Sequence, residues 1–191
     1  MRKIIAALNM TLDGVFDHTA GIPDEEIHQH YTELLGQGDA ILYGRTTYQL
    51  MEFWRTLLEN PSEEKSMNDF AKAIDKIPKI VFSRTIKTAD PIAIGWKSAT
   101  LAKRDLKDEV LELKQSGNGG SKDIFVGSRS LIIQLLKLDL IDELQLCIYP
   151  VVAGNGLLLF EDKNDRIILK LLKTKIFGSG AILLYYEPTR Q

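Results

Sequence analysis

The sequence predicts an α/β chain: a mostly parallel mixed sheet flanked by helices and ending in an antiparallel hairpin. Three observations carry this expectation. Residues 122–136 read as a short buried strand, a small-residue turn at Gly127-Ser128 and a helix. The strand-then-turn pattern recurs where residues 40–43 run into Gly44-Arg45-Thr46-Thr47, and where residues 79–82 run into Ser83-Arg84-Thr85. Gly178-Ser179-Gly180 then separates two apolar runs, 167–177 and 181–186, as a hairpin turn does. Alternating strands and helices with such an ending give a mixed sheet covered by helices.

Taken in order, residues 3–8 form a buried first strand that ends near Asn9 and reaches the turn Asp13-Gly14. Residues 15–22 have no helical period and could cover a site. Pro23 and Asp24-Glu25-Glu26 open a helix whose apolar side is Ile27, Tyr31, Leu34 and Leu35, closed by Gly36 and Gly38. After the second strand comes a short helix through Tyr48, Leu50 and Met51, with Trp54 packing near its end. Asn60-Pro61-Ser62-Glu63 reads as a capped helix start with proline first, followed by the stripe Met67, Phe70, Ala71, Ile74 and the stop Ile77-Pro78. A short strand is expected at 91–96. Asp105 caps a helix bearing Leu106, Val110 and Leu113. The glycine-rich stretch 117–121 precedes a strand, the wrong order for a phosphate-binding loop, and is read as a connection. Leu140-Ile141-Asp142-Glu143 leads into the strand 144–149, and a second small-residue loop, 151–156, leads to Leu157-Leu158-Leu159-Phe160.

With 191 residues the chain can bury one sizeable core, and one domain over 1–191 is expected. A hydrophobic share of 45% with 26% charged residues argues against extensive disorder. The formal net charge of -2 provides no bulk basic field for nucleic acid. The single cysteine, Cys147, excludes an intrachain disulfide framework and a cysteine-based zinc site. His28 and His30 stand two apart on a helix and do not share a face, so no metal is expected. The apolar run at 4–8 is too short for a signal-peptide core, and no run approaches membrane-spanning length, so a soluble, cytoplasmic protein is expected. Acyl transfer has no support, for there is no Gly-x-Ser-x-Gly elbow.

The chemistry concentrates at three strand ends. Gly44-Arg45-Thr46-Thr47, Ser83-Arg84-Thr85 and Gly127-Ser128-Arg129 each supply a small residue, an arginine and a hydroxyl, which are parts for holding phosphate oxygens. Arginine in the first turn of a helix opposes the helix dipole, so Arg45 and Arg129 are unfavourably placed unless an anion or a carboxylate faces them. In a parallel sheet all three turns lie along the carboxyl edge, where open α/β sheets bind ligands. The alternative reading is of solvated arginines and hydroxyls that only cap.

The landmarks Thr11-Leu12-Asp13-Gly14, Gly44-Arg45-Thr46-Thr47-Tyr48, Ser83-Arg84-Thr85, Val126-Gly127-Ser128 and Leu140-Ile141-Asp142-Glu143-Leu144, followed by Pro150, Gly154, Gly156 and Phe160, extend over nearly the whole chain. In their order and spacing the sequence resembles the dihydrofolate reductase-like superfamily. The resemblance is closer to the reductase domain of riboflavin-biosynthesis deaminase/reductase enzymes and its stand-alone relatives. It implies a three-layer fold, NADPH as cofactor, and hydride transfer to a pterin-like or ribosylaminopyrimidine-type small molecule. Carried over, Arg45, Thr47, Ser83 and Arg84 face the 2′-phosphate and pyrophosphate, and Gly127 and Ser128 the pyrophosphate and nicotinamide side. Gly44, Thr46, Thr85 and Arg129 complete the expected cofactor site. The acid that polarises the substrate has two candidates, Asp24, which also suits a helix start, and Asp13, which also suits a turn. A homodimer through the C-terminal sheet region is implied too. The competing function is a nucleotide-binding module without turnover, with a sensing or regulatory role, distinguished by having no carboxylate beside the nicotinamide.

Overall fold

The computed structural model describes residues 1–86, 95–116, 122–160 and 166–189. The glycine-rich connection 117–121 and residues 91–94 of the expected strand lie outside them. Strands β1 (Ile4–Thr11), β2 (Gly38–Gly44), β3 (Lys79–Phe82), β4 (Ala99–Leu101), β5 (Asp123–Val126), β6 (Glu143–Tyr149), β7 (Leu169–Ile176) and β8 (Ile182–Pro188) form one sheet among the described residues, in the order β4-β3-β2-β5-β1-β6-β8-β7. The pairs from β4 to β6 are parallel; β8 runs antiparallel to β6, and β7 to β8. The short parallel strands are apolar on both sides because both sides are covered.

Alternation along β1 shows how the covering works. Ile4, Ala6 and Leu8 point to one side, where they meet Val110 of α5 (Leu106–Gln115) and Leu131, Ile132, Leu135 and Leu136 of α6 (Arg129–Lys137). Ile5 points to the other, among Leu35 of α1 (Glu25–Gly36), Tyr48 of α2 (Arg45–Met51) and Ile74 of α4 (Lys65–Lys76). On that same side Ile27 of α1 packs against Cys147, Tyr149, Leu183 and Tyr185 of β6 and β8. The result is helices, sheet, helices.

The Leu140-Ile141-Asp142-Glu143 motif sits at the amino edge of the sheet. Asp142 Oδ2 accepts the Ile4 N–H at 2.8 Å and pairs with the buried Lys114 ammonium, so the motif fastens β1 to α5. The hairpin turn forms as the glycines predict: Phe177 N–H donates to Ala181 O, and Gly180 takes a φ of 84°.

Two local expectations change. Trp54 belongs to an additional short helix, α3 (Phe53–Glu59), where it stacks on Phe70 of α4 with ring centroids 4.5 Å apart. Pro61 is not the first helical residue: Ser62 and Asn68 bond to each other at 2.8 and 2.7 Å, and α4 starts only at Lys65. Residues 157–160 make no ladder, only a bridge from Val15 to Leu158. No helix among the described residues is long and apolar enough to cross a membrane.

Candidate functional site

Because β3, β2 and β5 are consecutive neighbours, the three arginine-bearing turns stand side by side at the carboxyl edge. Gly44 is level with Phe82, and Leu42 with Val126. Hydrogen bonds link the turns. Ser128, at the N-cap position of α6 and 1% exposed, does not cap its own helix; its Oγ accepts the Gly44 N–H at 2.8 Å. Arg45 Nη1 donates to Thr85 Oγ1 at 2.6 Å. Ser83 Oγ in turn accepts the N–H groups of Thr85 and Ile86 at 3.2 and 3.0 Å.

Around these bonds Arg45, Thr46, Arg84 and Thr85 are exposed, with Thr47 and Ser83 half-buried. The backbone is close-packed beneath them: a Cβ at Gly127 would lie 2.8 Å from Tyr43 Cε1. That approach, not an unusual φ, requires the glycine. Arg129 Nε donates to the carbonyls of Leu158 and Leu159 at 2.6 and 3.1 Å.

Beside the turns the sheet has a notch. The pairing of β1 with β5 ends at Ala6–Val126, whereas its pairing with β6 continues to Thr11–Tyr149. Beyond Ala6 the β5-side edge of β1 therefore has no strand beside it among the described residues. On the α1 side of this projecting ribbon Asn9 is level with Cys147 and Thr11 with Tyr149. Tyr31 of α1 reaches down to donate its hydroxyl to Asn9 Oδ1. Asn9 and Tyr31 join the candidate site, and the sequence did not single them out. A polar side chain inside an apolar strand was the available clue.

The two candidate carboxylates are engaged differently. Asp13 is exposed; it accepts from Thr11 Oγ1 at 2.5 Å and from the N–H groups of Ala153 and Gly154 at 3.1 and 2.8 Å. These bonds, the Thr11 hydroxyl foremost, lower its pKa to about 2. Asp24 is half-buried as the N-cap of α1, its Oδ1 accepting the Ile27 N–H at 2.8 Å. Burial works to raise its pKa, but the bonds from Ile27 N–H and the Ser179 hydroxyl outweigh it and leave the pKa lowered. Glu26 holds the same hairpin turn by accepting the Gly178 N–H at 2.8 Å. Both aspartates are thus ionised acceptors near neutral pH. Among the described residues no cluster of His, Cys, Asp and Glu could hold a metal ion.

Comparison with known proteins matches the chain to a family. Residues 2–183 match the model of the RibD C-terminal domain. The chain is 38% identical over 190 residues to the protein YyaP of Bacillus subtilis (strain 168), covering 97% of this chain and 95% of the relative. A putative riboflavin biosynthesis protein from Shewanella sp. PV-4 has a similar structure, with a TM-score of 0.69, 20% identity and full coverage of both chains. So does a pyrimidine reductase-like protein from Corynebacterium diphtheriae, with a TM-score of 0.67, 16% identity, and coverage of 100% of this chain and 93% of that one. With a family model spanning nearly all of its length, the chain belongs to the RibD C-terminal domain family.

Proposed function

We propose that this chain is a cytoplasmic NADPH-dependent reductase, one domain over its whole length, acting on a ribosylaminopyrimidine-type or pterin-like small molecule. The observation that carries the reading is the linked row of turns, Ser128 to Gly44 and Arg45 to Thr85, next to the notch at β1. The donor set suits a dinucleotide: two exposed guanidinium groups for phosphate oxygens, with hydroxyls and backbone close-packed around them. Arg45, Arg84, Ser83, Thr46, Thr47 and Thr85 would hold the 2′-phosphate and pyrophosphate, and Gly44, Gly127, Ser128 and Arg129 the inner part of the cofactor. NADPH, when bound, would supply the hydride.

The chain's own residues bind and orient. Thr85 restrains the Arg45 guanidinium before the cofactor arrives, reducing the ordering cost of the phosphate contact. Asp24, ionised at the start of α1, accepts hydrogen bonds from an amino or ring N–H group of the substrate. Asp13 keeps the 153–154 backbone in place beside Thr11. A carboxylate with a lowered pKa is a poor proton donor at neutral pH, so Asp13 and Asp24 position the substrate instead of protonating it.

The C-terminal sheet carries an apolar surface suited to a second copy of the chain. On β7 and β8, Leu171, Ile176 and Ile182 are 51%, 71% and 40% exposed, and β7 forms an edge of the sheet. A homodimer through this region is part of the proposal.

A second reading, a nucleotide-binding module without turnover, is favoured by the hydrogen bonds that already occupy Asp13 and Asp24. One assay separates the two. NADPH oxidation is followed with 5-amino-6-(5-phosphoribosylamino)uracil, its deaminopyrimidine analogues and dihydrofolate; turnover of any one supports the reductase. Tight NADPH binding with no turnover of any of them supports the binding module.

A further inference from the structure

Tyr149 ends β6 with its hydroxyl buried and, among the described residues, without a hydrogen-bond partner, while the residue as a whole is only 2% exposed. A buried polar atom left unpaired costs stability, and phenylalanine would fill the same space without that cost. None of the described residues supplies a partner to the hydroxyl, and a bound molecule can.

Its surroundings indicate what kind. Tyr149 is level with Thr11 on the α1 side of the ribbon, at the ribbon's end and one strand away from the notch. Asp24 caps the first turn of α1 through the Ile27 N–H, and Ile27 packs in one cluster with Tyr149 and Cys147. The chain crosses above at Gly21, so closely that a Cβ there would lie 2.6 Å from Tyr149 Cε2. The rest of that crossing is mostly solvent-facing: Asp17, His18, Thr19 and Pro23 are exposed, and Ile22 is 73% exposed. A donor hydroxyl and an ionised carboxylate thus both flank the start of α1, with the Gly21 backbone over the tyrosine ring.

Resting on the reductase reading, we propose that Tyr149 determines substrate specificity, donating its O–H to a ring carbonyl of an aminopyrimidinone or aminopteridinone while Asp24 accepts from the ring's amino edge. The 17–23 segment lies over this site, and Gly21 permits its seat on the Tyr149 ring. A heterocycle lacking the carbonyl leaves the hydroxyl unpaired and is bound less well.

The test uses the full chain, with 5,6-diaminouracil and 2-amino-4-oxopteridine as probes in calorimetric titrations, alongside thermal unfolding without ligand. Tyr149→Phe is expected to weaken the better-bound probe by roughly tenfold, to leave NADPH affinity unchanged, and to leave Tm equal or higher. A purely structural tyrosine would show the reverse, a lower Tm with unchanged probe affinity. Equal affinity of the variant, a lowered Tm, or failure of the wild-type protein to bind either probe overturns the proposal. Probe binding that depends on Tyr149 in a protein that never oxidises NADPH would instead overturn the reductase reading and leave the Tyr149 assignment standing.

Discussion

Ser128 Oγ accepts the Gly44 N–H at 2.8 Å, and through that bond the turn after β5 holds the turn after β2. The serine is buried and makes no bond to its own helix, so its role is between strands. Ser128→Ala leaves the Gly44 amide unpaired in a partly buried place, which should cost about 1–3 kcal/mol. Urea unfolding of the two proteins measures this. A variant as stable as the wild type would mean that water replaces the serine.

Asp13 makes stability depend on acid pH. Its folded pKa of about 2 lies below the ordinary 3.8, so its contribution is fully present above 3.8 and is lost as pH falls toward 2, where the folded state also takes up the proton. The stability difference between wild type and Asp13→Asn should therefore be constant at neutral pH and shrink across that window. Unfolding midpoints at a series of pH values check it. A difference that grows on acidification would contradict the assignment.

Arg129 ties α6 to the segment after β6 through the carbonyls of Leu158 and Leu159. Charge-assisted bonds of this kind contribute about 1.5–3 kcal/mol each when well formed, less where water reaches them. In Arg129→Ala the amides of Phe16 and Leu159, which bond Leu157 O and Gly14 O, should exchange hydrogen faster while those of β1 stay protected. Any cofactor effect should be alike for NADPH and NADH.

The proposed dimer predicts that Leu171→Lys, a charge on an exposed apolar position of the edge strand, gives monomers at micromolar concentration. Sedimentation velocity on both proteins decides this. A wild-type chain that is already monomeric there removes the dimer from the account.

The residues whose roles are local were legible in the sequence. Each strand before an arginine turn is a short apolar run followed by a small residue, and Asp105 caps α5 as its spacing indicates. Helix α3 was not legible, because Phe53 and Trp54 are adjacent and set no helical period; what holds Trp54 is Phe70, sixteen positions on. The Asn60-Pro61 start misled because Ser62 bonds to Asn68 instead of opening the helix. In the site the sequence supplied the parts but not their connections. Ser128 to Gly44, Asp13 to Gly154 and Asp24 to Ser179 join residues 84, 141 and 155 positions apart, and only the strand order brings them together.

The central claim is that Arg45 and Arg84 hold the phosphate that distinguishes NADPH from NADH. It is tested most directly by titrating wild type, Arg45→Ala and Arg84→Ala with each cofactor at one fixed ionic strength, since phosphate contacts are screened by salt. Loss of a charge-assisted bond should weaken NADPH roughly tenfold or more and leave NADH nearly unchanged, narrowing the preference in each variant. An NADPH-to-NADH affinity ratio that stays the same in both variants would contradict the claim.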